Sequence, residues 1–453
     1  MAQITLQQAA LWCGGQVAEK YKNVVFDGAH YDSRKLQKGQ LFVALVAARD
    51  GHDFIPSAME KGAAAVLCNR VEGDYPAIVV ADTRIALGQI AAGYLKQMGG
   101  KVIGVTGSVG KSTTKEMIAS VAATTYKVSK TPANHNNDLG LPAAVLAMDA
   151  DTRVVVLEMG MSHFGEIEYL SRLANPQLGV IINVGTMHIE NLGSREGILQ
   201  AKLEIAKGMP QDGKLLLYGD NDLLWSVREQ LPVQSSYFGV SNEKCALQAC
   251  NVQETENGIH FDVRYAGGAF AVYLPLEGAH YVSDAMAAVS VGLELGISVE
   301  NIQKGLADFQ NMEGRQEIFD YQGITVIKDC YNAGPESMAA ALQVLKNRSG
   351  RKIAVLGDML ELGAHSHQAH FETGKIVAKC ADVLLCYGPA CAAMAEGAME
   401  GGMQTQWVHH FTDRSMLAET LQKLSMPGDV LLFKGSRGMK MELALEQFMT
   451  KER

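Results

Sequence analysis

Val102-Ile103-Gly104-Val105-Thr106-Gly107-Ser108-Val109-Gly110-Lys111-Ser112 decides the fold class. A continuous apolar run enters a glycine turn, and a helical pattern follows from about Ser112 to Ala123. Glycines let backbone N–H groups close around phosphate oxygens, and the helix N-terminus adds partial positive charge. Lys111 then reaches the β/γ-phosphates, and the Ser112 hydroxyl is placed for Mg²⁺. The full eight-residue pattern wants glycine at 105, where this chain has Val105, so the shorter G-x-x-G-K-S remains. Without a phosphate it would be a plain strand-to-helix turn.

Outward from this stretch the rhythm of strand, turn and helix repeats. Further apolar runs at 153–158, 179–184 and 214–218 are continuous rather than alternating, which suits parallel strands covered on both faces. Alternating strands over about 260–276 end at Pro275, and helical periodicity fills 281–308. The rhythm restarts near Glu313-Gly314-Arg315, with strands expected at 324–328, 352–356, 383–387 and 430–434. On the N-terminal side, Met98-Gly99-Gly100 breaks an earlier block of short strands and turns. The expectation is an α/β chain of three domains, over 1–98, 99–313 and 314–453.

Composition supports this and excludes other classes. The 453 residues are 47% apolar and 20% charged, enough for about three cores at roughly 150 residues each. Net charge is -9 with no run of five like charges, which argues against a nucleic-acid partner. No apolar run approaches the ~20 residues of a membrane span, and the start lacks a signal-peptide pattern. Eight cysteines without a CxxC pair read as reduced packing thiols of a cytoplasmic chain.

Several strand ends carry polar residues, and each has two readings. Glu158 ends the run Val154-Val155-Val156-Leu157, where a carboxylate either holds Mg²⁺ or is satisfied by a helix N-terminus. His188 follows Ile181-Ile182-Asn183-Val184-Gly185 and is either a metal or phosphate contact or a structural histidine. Lys202 sits at a helical position, where a lysine is ordinarily solvated. Turn chemistry accounts for Asn134-His135-Asn136-Asn137-Asp138 by itself. Lys434-Gly435-Ser436-Arg437 places two cations at a strand end, for an anionic ligand or for solubility. His365, His367 and His370 do not share one helical face, so the zinc reading loses to a structural one.

Taken in order, these residues resemble the Mur ligase family of peptidoglycan synthesis over essentially the whole chain. The series comprises Asp32-Ser33-Arg34 with Leu41-Phe42-Val43-Ala44-Leu45, Thr106 to Ser112, Asp329-Cys330-Tyr331-Asn332, Gly357-Asp358-Met359-Leu360-Glu361-Leu362-Gly363, and Lys434-Gly435-Ser436-Arg437. The last three point to the dipeptide-adding branch. The resemblance implies a UDP-sugar domain, a central phosphate-loop ATPase with a parallel-rich sheet, and a C-terminal Rossmann-like domain that closes over the nucleotide. It implies an ATP-dependent ligase that phosphorylates the terminal carboxylate of UDP-N-acetylmuramoyl-tripeptide and passes the acyl group to D-alanyl-D-alanine. ATP and Mg²⁺ are the implied cofactors, and a monomer is expected.

Carried over position by position, the resemblance assigns ATP contacts to Thr106, Gly107, Ser108, Val109, Gly110, Lys111, Ser112 and Thr113. Arg315, Asp329 and Asn332 match ADP-contacting positions. Ser112, Glu158, His188 and Lys202, the last as a carbamate, match metal ligands, and with Lys111 the latter three match catalytic positions. Ser33, Asn134 and Asn137 match substrate-binding positions. Three departures stand out: Cys330 for the usual Ser, Gly334 for the usual Asn, and His280-Tyr281-Val282-Ser283-Asp284 for H-N-x-x-N. A single-amino-acid-adding or folylpolyglutamate-type ligase, and a nucleotide-dependent switch protein, are the competing readings. D-alanyl-D-alanine tested against single amino acids, and dependence of hydrolysis on both substrates, separate them.

Overall fold

The structure is a computed structural model that describes residues 3–450. The chain packs as two units. One contains the chain up to Ile182 with Gln200–Phe238 and Ala287–Gly305; the other contains Asn183–Leu199, Gly239–Met286 and the chain from Leu306.

The first unit holds two parallel sheets. The N-terminal one runs Ala29–His30, Leu41–Val43, Ala65–Cys68, Ala77–Val79 in spatial order, every pair parallel. Helix Thr83–Met98 follows, started by Asp82, whose carboxylate accepts from Arg84 N and Ile85 N. It is stopped by Gly99 at φ 67, a left-handed cap that suits glycine. Of the nine-stranded sheet that follows, six consecutive strands, Gln234–Gly239, Lys214–Tyr218, Leu178–Ile181, Lys101–Thr106, Val154–Glu158 and Val128–Lys130, are all parallel. Val102, Ile103, Val105 and Val154–Leu157 are all buried, as continuous apolar strands of a two-sided sheet should be. Strand order reverses direction beside Lys101–Thr106, so the loop after it opens at the switch point where open α/β sheets take ligands.

The second unit holds a sheet ordered Glu317–Tyr321, Ile324–Asp329, Val430–Lys434, Lys352–Gly357, Val383–Tyr387, Val408–Phe411. Its first pair is an antiparallel hairpin and the remainder is parallel. Apolar clusters cover both faces, one around Leu342, Leu356 and Leu432 and the other around Val355, Phe433 and Phe448. The last three strands of the nine-stranded sheet, Leu247–Thr255, Gly258–Tyr265 and Gly268–Leu274, form an antiparallel meander.

Three expectations need correction. The run 179–184 stops being strand at Ile181, because the chain from Asn183 packs into the other unit. The helical stretch 281–308 is two helices, Tyr281–Glu294 and Val299–Ala307, separated at Gly296, whose φ of 71 no helix interior tolerates. Strands Gln234–Gly239, Leu247–Thr255, Glu317–Tyr321 and Val408–Phe411 are additional, half-exposed strands without a continuous buried apolar run. Among the described residues no helix is long and apolar enough to cross a membrane.

Candidate active site

Strand Lys101–Thr106 ends in the loop Gly107–Gly110, and helix Lys111–Ala123 begins at once. Gly110 has φ 86, the left-handed turn that aims the helix at the sheet edge. No side chain caps this helix, so its first N–H groups present their partial positive charge to the loop. The Lys111 ammonium lies back on the loop, donating to Gly107 O at 2.9 Å and Ser108 O at 3.3 Å. Those two neutral carbonyls are weak competitors for an anionic phosphate.

Glu158 closes the strand next door and is 2% exposed. Its oxygens accept from the Ser112 hydroxyl at 2.8 Å and from Asn136 Nδ2 at 2.9 Å, while its backbone N–H donates to Thr131 Oγ1 at 3.0 Å. Lys115, fully buried one turn after Lys111, lies 3.8 Å from the same carboxylate and donates to Thr131 O at 2.7 Å. Ser112 and Glu158 are thus brought together. The reading of Glu158 as a carboxylate satisfied by a helix N-terminus is replaced by these named donors.

The asparagine stretch behaves differently from its sequence reading. Asn136, which the sequence pattern does not distinguish from its neighbours, reaches Glu158, and Gly160 packs so close that a Cβ would lie 2.9 Å from its amide. Asn137 Oδ1 accepts from Gly140 N at 2.8 Å and Leu139 N at 3.2 Å, a turn that starts helix Gly140–Leu146. Asn134 is exposed and its carbonyl accepts from Asn136 N at 2.8 Å. Ser33 is buried, its carbonyl accepting from Lys61 Nζ at 2.8 Å. Beside it, Arg34 holds the Asp32 carboxyl well below the usual carboxylate range.

Lys202 corrects the expectation of a solvated helix lysine: it is 2% exposed. Burial, then repulsion from Lys111, pushes its pKa well below that of an ordinary lysine. A neutral amine in a dry site is the form that adds CO₂, so the surroundings suit a carbamate.

The remaining candidates lie in the second unit. His188, at φ 64, starts the short helix Ile189–Leu192 and sets Nδ1 2.9 Å from Glu361 Oε2. The Arg315 guanidinium stacks over the Tyr331 ring at 4.1 Å, and its buried Nε has no hydrogen-bond partner. Asp329 pairs with Lys434 at 2.6 Å across adjacent parallel strand ends, and Lys434 also donates to the Asn332 carbonyl at 3.0 Å. Lys434 is 1% exposed, so the idea of two strand-end cations awaiting an anion fails at that residue. Arg437 remains largely exposed, 3.3 Å from Glu442.

Two further sequence features now have physical reasons. Gly334 stands where a Cβ would lie 2.3 Å from Met187 Sδ, so the departure to glycine makes room for that side chain. His365 and His367 are exposed while His370 is buried, so the three never assemble. His370 does share a buried cluster with Asp358 and Cys391 whose donor atoms lie within 4.8 Å. Those atoms are already engaged: Met359 N donates to His370 Nε2 at 2.9 Å and Cys391 N to Asp358 Oδ1 at 2.8 Å. The cluster ties a strand end to the start of helix Cys391–Glu400 and is structural.

Comparison with known proteins extends over the whole chain. The model of the Mur ligase family catalytic domain matches residues 26–95, that of the Mur ligase middle domain 105–292, and that of the Mur ligase glutamate ligase domain 314–437. The UDP-N-acetylmuramoyl-tripeptide–D-alanyl-D-alanine ligase of Bacillus subtilis is 42% identical over 98% of this chain and 97% of its own. The Escherichia coli enzyme of the same name is 33% identical over the same shares. A crystal structure of MurF from Acinetobacter baumannii superposes with a TM-score of 0.92 at 32% identity, covering 100% of both chains. MurF ligase from Thermotoga maritima, solved in complex with ADP, gives 0.82 at 29% identity, covering 93% of this chain and 97% of that one.

Proposed function

This chain belongs to the Mur ligase family, and from that premise we propose a reading of what its site does. It is an ATP-dependent ligase that joins D-alanyl-D-alanine to the terminal carboxylate of UDP-N-acetylmuramoyl-tripeptide, in peptidoglycan precursor synthesis. The observation that carries the chemistry is the buried pair of Ser112 and Glu158, joined by the half-buried Asn136, against a phosphate loop with its lysine.

A carboxylate is a poor acyl donor because its leaving oxygen is too basic. Transfer of the ATP γ-phosphoryl to that oxygen makes phosphate the leaving group. The dipeptide's neutral amine then attacks the acyl carbon, and the tetrahedral intermediate collapses to amide and phosphate. The first step brings two anions together. Lys111 moves from the loop carbonyls to the phosphates, and the uncapped helix start supplies N–H donors.

The donor set fits Mg²⁺. Glu158 is an acceptor-only carboxylate in a dry pocket, Ser112 is a hydroxyl already turned to it, and both are oxygens. Mg²⁺ bound there supplies charge neutralisation of the triphosphate. Asn136 and Lys115 hold the Glu158 carboxylate in place. His188 and, as a carbamate, Lys202 complete the proposed metal ligands, the carbamate turning a repulsive neighbour of Lys111 into an attractive one. Arg315, with its unpartnered Nε, Asp329 and Asn332 are the proposed ADP contacts. Ser33, Asn134 and Asn137 are the proposed contacts to the UDP-tripeptide. The divisions 1–98, 99–313 and 314–453, and action as a cytoplasmic monomer, belong to the same proposal.

The test is phosphate release from ATP. Release that requires UDP-N-acetylmuramoyl-tripeptide and is accelerated by D-alanyl-D-alanine, but not by single amino acids, is expected. Release indifferent to both substrates would instead indicate a nucleotide switch.

A further inference from the structure

Gly104 stands inside the apolar strand Lys101–Thr106 that leads to the phosphate loop, and a glycine there gives up side-chain packing. Its neighbours supply the reason. A Cβ at this position would lie 3.0 Å from Met159 Cε and 3.1 Å from Ile205 Cδ1. Met159 directly follows Glu158, and Ile205 comes three residues after Lys202. The segments that carry the phosphate loop, the carboxylate and the buried amine therefore converge over one glycine, all within the first unit.

A second contact fastens two of these segments together. Helix Glu166–Ala174, which follows the loop after Glu158, starts at Gly165 with φ 85 and no cap from its own side chain. The cap comes from Glu204, 39 residues on: Gly165 N–H donates to both carboxylate oxygens, at 2.8 and 2.9 Å, and Glu168 N–H to one of them at 3.3 Å. Glu204 is 6% exposed, and Lys207 of the same segment pairs with Glu168 at 2.6 Å instead. Backbone N–H groups and the helix N-terminus thus hold a buried carboxylate. A serine at the cap satisfies such groups locally and without a buried charge. The remote carboxylate does what a local cap cannot, which is to fix the chain around residue 204. The Ser171 hydroxyl donates to the Ile205 carbonyl, and Gly208 leaves no room for a Cβ against the Ser171 backbone. Glu204–Gly208 is therefore wedged between helix and sheet, and it begins directly after helix Arg195–Leu203, whose last turn holds Lys202.

We propose that Glu204 is a positioning residue for Lys202. Its carboxylate pins the exit of the Lys202 helix to the helix that follows Glu158, so that the amine is kept in its dry site. This rests on the reading of Lys202 as a carbamate, and the test separates the two. Carbamylation joins the neutral amine nitrogen to the carbon of CO₂, passes one C–O π pair to oxygen and releases one proton to water. It needs the amine in place and takes nothing from Glu204 itself.

Labelled ¹³C-bicarbonate is titrated into the full chain with ADP and Mg²⁺, and the carbamate carbon is followed by NMR alongside thermal unfolding of each variant. Lys202→Met identifies the signal by its loss. Glu204→Ala is expected to raise the bicarbonate half-saturation about 10-fold, the low end for a residue that orients a ligating group. Glu204→Gln, which keeps one acceptor oxygen, recovers part of that loss. Gly104→Ala leaves the carboxylate intact but presses on Ile205 and Met159, and raises the half-saturation by a smaller factor; it keeps the test decisive where a Glu204 variant does not fold. Asp82→Ala removes an acidic cap from another helix of the same unit, and is expected to lower the melting temperature without moving the half-saturation. A half-saturation unchanged in Gly104→Ala and in the folded Glu204 variants overturns the positioning role and leaves the carbamate standing. A shift in Asp82→Ala as large as that in Glu204→Ala overturns it as well, since lost stability alone would then account for the effect. A wild type without the carbamate signal overturns both.

Discussion

Two parallel sheets in this molecule end in the same residue types and use them in opposite ways. In the first unit a lysine and a carboxylate stand at neighbouring strand ends, yet Lys111 rests on carbonyl oxygens while Glu158 takes its hydrogen bonds from the neutral Ser112 and Asn136, with the Lys115 ammonium farther off at 3.8 Å. In the second, Lys434 and Asp329 neutralise each other at 2.6 Å with the lysine sealed from solvent. A charge whose hydrogen bonds come from neutral dipoles is more available to a ligand than the ammonium of Lys434, which is in direct contact with its opposite and held in the frame. Strand-end position alone therefore does not distinguish a lysine proposed to meet a ligand from a structural one. Pairing does.

The largest break in that contrast comes from Lys111. Lys111→Ala removes the cation proposed to meet the γ-phosphoryl group, and kcat is expected to fall by about 10³-fold, the upper end for one stabilising donor. Thermal unfolding should stay near the wild type, because Lys111 is half-buried and its hydrogen bonds to Gly107 and Ser108 go to neutral carbonyls. Steady-state kinetics with a melting curve checks both halves.

Lys434→Met reverses the pattern. It leaves Asp329 without its counter-charge, and stability should fall by about 3–5 kcal/mol. The double variant Lys434→Met with Asp329→Asn recovers most of the loss, read by chemical denaturation. A single variant as stable as wild type would remove the structural half of the comparison.

Asn136→Ala sharpens the catalytic half. It deletes one donor to Glu158, and a fall in turnover of about 10²-fold is expected with ATP KM rising, since the carboxylate loses its orientation. Lys202→Met changes stability less than Lys434→Met and with the opposite sign. The folded-state pKa of Lys202 lies below the unfolded value, so the unfolded chain binds more protons and stability rises with pH between those two values. Removing the amine should stabilise the protein by roughly 1–3 kcal/mol at neutral pH, flatten that slope and abolish ligation. Denaturation at several pH values reads it.

How much of this was legible follows from what each residue touches. The strand Lys101–Thr106, its loop and its helix are a local pattern, and neighbours in sequence suffice to read them. The buried strands of both parallel sheets read equally well because both faces are covered. Short or half-exposed edge strands such as Val408–Phe411 and Glu317–Tyr321 carry no such run. In the site, Glu158 was legible from its strand end. Asn136 was hidden among asparagines that turn chemistry already explained, and only its contact 22 residues away distinguishes it. Lys115 and Lys202 look like solvated helix lysines until the fold buries them. The His188–Glu361 contact joins segments whose strained backbones leave no mark in composition.

The most direct test is a crystal of the protein with a non-hydrolysable ATP analogue and Mn²⁺, read by anomalous scattering. The expected map has the β- and γ-phosphates on the N–H groups of Val109 to Ser112, Lys111 turned onto them, and a manganese peak beside Ser112 Oγ and Glu158. A triphosphate seated away from that loop, or a metal peak elsewhere with Lys111 still on Gly107 and Ser108, would contradict the account.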